Sequence, residues 1–417
     1  MIMKNVEAHR GQSPFRVLTR PLYGLALRRV VSMAQENLVA GRLTLILPNG
    51  ETLVADSQRP GPDATVKLRD FHGLWMVLTA GDLGFAEAYM AGHFDTPELK
   101  AILDLAVANE TWFSGVMDNR GLSAVFNWVG HALNDNSKTG SRKNIFAHYD
   151  LGNDFYGEWL DDSMTYSSAV YDDVTASGEA LFDAQQNKYR RIAEIGQMTP
   201  DSHVLEIGCG WGGFAEYAAK NVGCKVTGVT ISQAQFDYAA ERIQRAGLNE
   251  KVELRIQDYR DVEPGHFDRV ASIEMFEAVG EKHWPEFFSQ VRNVLRPGGR
   301  ASMQIITIAD ELFDHYRSGV DFIQKYIFPG GMLPSVAKLQ EMSDKHGLTI
   351  DQNDGFRLDY ARTLLEWNDT FQAKWPQLNQ DKFDEPFRRM WEYYLKYCAA
   401  GFESGRIDVR QIAWNKD

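Results

Sequence analysis

DSHVLEIGCGWGGFAEYAAKNVGCKVTGVTISQAQ, residues 201–235, reads as strand, glycine turn, helix and strand. His203 to Ile207 is a short apolar run with polar flanks, the pattern of a buried strand. The turn that follows carries Gly208, Gly210, Gly212 and Gly213. Phe214 to Asn221 has apolar residues at helical spacing, and Cys224 to Ile231 is a second apolar run rich in Val and Thr. Such a βαβ unit implies a parallel sheet with its ligand at the carboxyl ends of the strands. The glycines fit that reading, since a Cβ would hold the backbone away from a ligand. They fit equally a tight turn needed only for packing.

No Gly-Lys-Ser/Thr follows, so the turn is not a phosphate-binding Walker loop. Nor is it a GxGxxG dinucleotide fingerprint, because Gly212 and Gly213 come one and two residues after Gly210 rather than three.

The rest of the composition narrows the function. The chain has 417 residues, 44% hydrophobic and 24% charged, ordinary for a soluble globular protein of two domains. No apolar run approaches the roughly 20 residues that span a bilayer, and the amino-terminal MIMKNVEAHRGQ has no apolar signal core. Cys209, Cys224 and Cys398 lack metal-like spacing, so neither a disulfide framework nor a metal site is expected, and the compartment is cytoplasmic. A net charge of −13 argues against a nucleic-acid partner and confines any membrane contact to a local patch.

Upstream, Phe15 to Ala40 has helical spacing and is locally basic through Arg16, Arg20, Arg28 and Arg29. That is either a solvated helix face or a patch that meets lipid phosphates. Arg42 to Leu47 and Glu51 to Ala55 flank Pro48-Asn49-Gly50, a hairpin signature, and Thr65 to Arg69 is another strand. Phe71–Ala80, Gly84–Met90 and Leu99–Ala108 read as helices. A small α+β domain is expected over residues 1–140, closed by the polar stretch 133–143. Asn144 to Tyr156 and Leu160 to Ala169 mix Tyr, Asn, Asp and His148, and suit a lid over a ligand.

Beyond the core, Val252–Ile256, Phe267–Ile273 and Arg300–Ile308 are the next strands. Strand ends thus deliver Glu206 to Gly213, Thr230, Asp258 and Glu277 to one sheet edge. The last hundred residues are rich in aromatics, among them Tyr360, Trp367, Phe371, Trp391 and Tyr394. They serve as core, or as an apolar insertion forming a dry tunnel for an acyl chain.

The acidic residue before the glycines, Glu206-Ile-Gly-Cys-Gly, resembles the class I S-adenosylmethionine (SAM) methyltransferases. Ala147-His-Tyr-Asp-Leu-Gly-Asn-Asp, Met164-Thr-Tyr-Ser, Leu205 to Gly213, Gly228 to Gln235, Gln257-Asp-Tyr-Arg-Asp, Met275-Phe-Glu-Ala-Val-Gly and Lys325-Tyr-Ile-Phe-Pro-Gly-Gly occur in one order. Over residues 144–412 this resembles the cyclopropane fatty acid synthase family, which includes the mycolic acid cyclopropane synthases. The fold implied is α/β, a Rossmann-like SAM-methyltransferase sheet with a lipid-binding insertion, in a catalytic domain over 141–417. The activity implied is methyl transfer from SAM to the cis double bond of an acyl chain on a membrane phospholipid. The resulting carbocation then loses a proton to bound bicarbonate and closes a cyclopropane. A peripheral position at the inner membrane and a homodimer are further family expectations.

By matching motifs, SAM would be held by Tyr166, Ser167, Gly208, Gly210, Thr230, Gln235, Asp258 and Tyr259. Glu277, Tyr360 and the backbone of Ile306 match groups that hold bicarbonate in the family. Two positions depart: Ser168 stands where the family has cysteine, and Gln304 where it has histidine. If these changes weaken the anion site, the cation would lose a neighbouring proton and give a methyl-branched alkene or a methylene. A non-catalytic protein that binds SAM or lipid is the reading from another class.

Overall fold

A computed structural model of the chain describes residues 27–112 and 151–416. Arg16, Arg20, His148, the stretch 133–143 and the expected boundary near 140 lie outside those residues. The chain divides into two units, residues 1–135 with 385–390, and residues 136–384 with 391–417.

In the first unit β1 (Arg42–Ile46), β2 (Thr52–Asp56), β3 (Asp63–Leu68) and β4 (Phe94–Asp95) form a sheet in the order β2-β1-β3-β4. The Asn49-Gly50 turn joins β1 and β2 antiparallel, with Ile46 opposite Thr52, as its composition implies. The two short helices expected over 71–90 lie within His72–Met90 and are separated by a break at Gly81, where φ is 56° and ψ is −131°. Helix Leu99–Ala108 starts where expected, and the Glu98 carboxylate accepts from the Lys100 N–H. Arg389, which belongs to this unit, pairs with Asp95 at 2.7 Å and donates to the carbonyls of Tyr89 and Phe94. Arg28 is ion-paired to Glu51 at 2.9 Å.

The second unit is built on a seven-stranded sheet ordered β10-β11-β9-β8-β5-β6-β7. Its strands are β5 (His203–Ile207), β6 (Lys225–Thr230), β7 (Val252–Ile256), β8 (Phe267–Ile273), β9 (Leu295–Ile308), β10 (Leu348–Gly355) and β11 (Ile407–Lys416). β5 to β9 run parallel, as the βαβ pattern requires. β9 begins at Leu295 rather than Arg300, because a register shift between Phe267 and Arg269 carries the pairing through the Pro297-Gly298-Gly299 turn. β10 and β11 are antiparallel additions from the stretch read as core or insertion. Its two ends complete the sheet, and helix Arg357–Lys374 and residues 391–404 between them carry the aromatics.

Successive residues face opposite cores. Val204, Val226 and Ala271 pack with Ile192, Phe214 and Ile243. Leu205, Val270, Ile412 and Trp414 pack with Phe287, Phe288, Val291 and Met342. This period of two is that of a sheet covered on both faces.

Trp414 on β11 is buried, and its indole N–H donates to Ser343 Oγ at 2.7 Å. Trp414→Ala should cost about 3–5 kcal/mol of unfolding free energy, read as a lowered denaturant midpoint. A cost under about 1 kcal/mol would mean that β11 is not integral to the sheet.

Candidate active site

The parallel register fixes what stands at the carboxyl edge. Glu206 is opposite Gly228 and Ala271, so the loops after β5, β6, β7 and β8 emerge side by side. After β5 the N–H groups of Gly208 and Cys209 both donate to the Val229 carbonyl at 3.0 Å, pinning the turn to β6. The glycines divide by role. A Cβ on Gly213 would stand 2.4 Å from Tyr189 Oη, and one on Gly228 3.0 Å from Cys209 Cβ, so these serve packing. Gly210, at φ +51°, would carry its Cβ into space with no atom within 4 Å, so its backbone is bared on the open side of the turn. Glu206 is buried, burial pushes its carboxyl well above the usual range, and among the described residues its Oε2 has no partner.

The segment expected as a lid is tied to this turn. Trp211 Nε1 donates to Asn153 Oδ1 at 2.8 Å, and Asn153 Nδ2 donates to the Ala234 carbonyl at 3.2 Å. Thr230 Oγ1 donates to Gln235 Oε1 at 3.0 Å, joining the end of β6 to helix Gln233–Arg245. After β7, Asp258 accepts from Arg260, which holds its carboxyl below the usual range. Tyr259 packs edge-on against Phe287 at 5.4 Å. Tyr166 stacks on Trp367 at 5.3 Å, and its hydroxyl meets that of Tyr394 at 2.7 Å. Trp159 stands edge-on to both Tyr166 and Trp367 at 5.8 Å. Ser167 Oγ accepts from Lys188 Nζ at 2.6 Å. Lys188 is wholly buried, and burial pulls its ammonium down to about 7 against the pull of Glu274, Asp161 and Glu206.

The residues expected around bicarbonate do come together, but on two carboxyl groups of the chain itself. Glu274 Oε1 accepts from the Ser168 N–H at 2.8 Å and from Gln304 Nε2 at 2.7 Å, and its Oε2 accepts from Tyr360 Oη at 2.6 Å. Gln411 Nε2 donates to Gln304 Oε1 at 3.1 Å, which turns the Gln304 amide N toward Glu274. Glu277 Oε1 accepts from the Ile306 N–H, and its Oε2 has no partner among the described residues.

The environments of this pair push its members apart. Burial, then the neighbouring Glu274, drive the Glu277 carboxyl up to about 8, opposed by the N–H groups of Ile306 and of Glu277 itself. Burial raises Glu274 also, but Tyr360, Gln304, Lys188 and the Ser168 N–H all favour its charged form. The donors around Glu274 thus favour charge on it more than on Glu277, and Glu277, at about 8, is the neutral acid near pH 7. Sequence reasoning did not select Glu274, Gln411 or Lys188. Glu274 carried a signal, since it stands at the end of a strand three residues before Glu277; the other two carried none.

A raised carboxyl makes the folded state hold a proton that the unfolded chain has already lost between about pH 4.5 and 8. Stability from this group thus falls as pH rises through that window. Glu277→Gln removes the dependence, so its denaturant midpoint should decline less than the wild-type midpoint between pH 5 and 8. Parallel declines would mean that Glu277 is already ionised in the fold.

Comparisons with known proteins place the chain in a family. The family model for mycolic acid cyclopropane synthetase matches residues 136–412. The tuberculostearic acid methyltransferase UfaA1 of Mycobacterium tuberculosis is 37% identical over 391 residues, covering 88% of this chain and 86% of that protein. The cyclopropane-fatty-acyl-phospholipid synthase of Escherichia coli is 37% identical over 367 residues, covering 85% of this chain and 88% of its own. Among solved structures, mycolic acid cyclopropane synthase CmaA1 complexed with SAH and CTAB superposes with a TM-score of 0.60 at 29% identity, covering 66% of this chain and 97% of that one. The chain belongs to the mycolic acid cyclopropane synthetase family and is a SAM-dependent methyltransferase.

Proposed function

We propose that this enzyme methylates the cis double bond of unsaturated acyl chains on membrane phospholipids through a carbocation. The observation that carries the reading is a buried carboxyl pair beside stacked aromatic rings at the cofactor edge of the sheet. A small amine or hydroxyl acceptor would be served by an exposed polar base. An alkene needs a dry site, aromatic faces for positive charge and a group to take a carbon-bound proton.

Bound SAM supplies an electrophilic methyl group on a sulfonium. Gly210 would offer bare backbone to it, Gly208 would lie beside it with its own Cβ position filled by Met275, Thr230, Gln235, Asp258 and Tyr259 would flank the edge beyond, and Tyr166 and Ser167 would close it from the lid. The orphaned Glu206 Oε2 and the open side of Gly210 fit a bound group at this place. A neutral alkene is a weak nucleophile, so alignment must carry much of the rate, about 7–11 kcal/mol at best. Charge that develops on the second alkene carbon is met by the faces of Tyr166, Trp367 and Tyr360. Helix Arg357–Lys374 and residues 391–404 supply the apolar insertion for the acyl chain.

The first product reading is a cyclopropane. A second, a methyl-branched or methylene chain, is favoured by the engagement of Ser168 and Gln304 with Glu274. Relatives bear names of both kinds, a cyclopropane synthase and a tuberculostearic acid methyltransferase. Residues 1–140 are proposed as an accessory unit that meets the membrane surface, with the enzyme peripheral at the inner membrane. Among the described residues no helix is long and apolar enough to cross a membrane.

Lipids from cells expressing the chain and fed methyl-labelled methionine should gain one methylene unit per modified acyl chain. Retention of three labelled hydrogens identifies a methyl branch with a shifted double bond; retention of two identifies a cyclopropane or a methylene, of which only the methylene is reduced by mild hydrogenation, while no gain would sink the reading. Gly210→Ala should fold with about 1 kcal/mol of strain from its left-handed backbone, yet bind SAM at least about tenfold more weakly by calorimetry. Unchanged affinity would place the cofactor elsewhere.

A further inference from the structure

We infer that Glu274 is the enzyme's own proton acceptor, its carboxylate standing in the place where a bicarbonate would be held. This rests on the acyl-methylating reading above and deepens it.

Three donors converge on this one side chain: the Ser168 N–H and Gln304 Nε2 on Oε1, and Tyr360 Oη on Oε2. An N–H and an amide NH₂ have no acceptor capacity, so Oε1 is held as a bare acceptor. A bicarbonate presents the same flat, two-oxygen acceptor edge and would need the same donors. The two remaining groups expected to hold it, the Ile306 N–H and Glu277, are bonded to each other through Glu277 Oε1. A second anion would also lie against the Glu274 carboxyl in a dry site, where like charges repel strongly. These residues therefore do not fit bicarbonate while Glu274 is present.

The backbone supports the placement. Glu274 has φ +49°, a left-handed conformation that a residue with a Cβ adopts at a cost. Its N–H donates to the Gln304 carbonyl at 2.8 Å, so backbone and side chain of Glu274 are both locked to the Gln304 position. Gln411 holds the Gln304 amide from behind, and Tyr360 reaches in from helix Arg357–Lys374. Gln304, Gln411 and Tyr360 are thus positioning residues for one carboxylate beside the aromatic faces.

The step balances without an added reactant. Once the methyl group has bonded to one alkene carbon, the other carries the positive charge. A neighbouring C–H bond breaks, and its electron pair forms the new C–C bond of a ring or the π bond of an alkene. The proton goes to Glu274, which becomes the neutral acid and returns it to solvent when product leaves.

The test uses the full-length enzyme with SAM and vesicles of a monounsaturated phosphatidylethanolamine and phosphatidylglycerol. In degassed, carbonate-free buffer, wild-type turnover should change by less than about twofold when bicarbonate is restored. Glu274→Gln should lose at least about 100-fold in turnover while SAM affinity stays within about threefold. Glu274→Gly, which suits the backbone, should lose as much and recover at least about tenfold with added bicarbonate or formate. Independently of turnover, ¹³C-bicarbonate should show saturable line broadening with Glu274→Gly and none with wild type.

A wild type that needs bicarbonate or broadens its signal overturns the proposal. So does a Glu274→Gln enzyme with more than about half of wild-type turnover, or a Glu274→Gly enzyme that neither binds nor responds to bicarbonate. A wild type that binds SAM but methylates no acyl chain in either buffer overturns the functional reading itself, and this proposal with it.

Discussion

Parallel pairing of β5 to β8 is the constraint on which the rest of the second unit depends. A one-residue slip would turn every side chain to the opposite face, and here both faces are buried, so the register is fixed twice over. That register aligns the ends of four strands, and with them Glu206, Thr230, Asp258 and Glu274. No loop has to find the others across the molecule. Each is delivered by the end of a strand whose position the cores on both faces enforce.

Placing charge at such an edge is costly, and the way the cost is met divides the labour between two carboxyl groups. Glu274 is surrounded by donors and has the buried Lys188 nearby; Glu277 has only the backbone N–H groups of Ile306 and of Glu277 itself. Burial alone would protonate both. The difference in donors favours charge on Glu274 and leaves Glu277 neutral near pH 7, a pairing that offers an acceptor for a proton and avoids two like charges in one dry site. The aromatic rings around Tyr360 and Tyr166 keep water out of the same place and offer their negative faces to a cation.

Much of this was legible in the sequence for local reasons. The strand, glycine turn and strand of 201–235 carry their own periodicity, and Asn49-Gly50 carries its own turn geometry. Helix Leu99–Ala108 is readable from spacing alone. The site residues Ser168, Gln304, Ile306, Glu277 and Tyr360 come from four separate stretches, and motif order was enough to gather them. What the residues bind to could not be read, because hydrogen-bond partners are set by three-dimensional convergence. Glu274 looked like one more acidic residue after a strand, and Gln411 like an ordinary strand residue. β10 and β11 were missed because a run such as Ile407-Asp-Val-Arg-Gln-Ile-Ala-Trp alternates only in part, and aromatic helices on its amino-terminal side dominate the composition.

β11 also sets a schedule for synthesis. It lies between β9 and β10, yet it is the last strand to be made. When β9 has left the ribosome, its free edge waits for a partner roughly 100 residues downstream, about 5–20 s at ordinary elongation rates. Through that interval a long apolar strand stands unpaired, the kind of edge that recruits other chains. The nascent protein is thus most exposed to aggregation while residues 309–406 are being made, and a holding chaperone acting then would raise its yield more than one acting after β11 has paired.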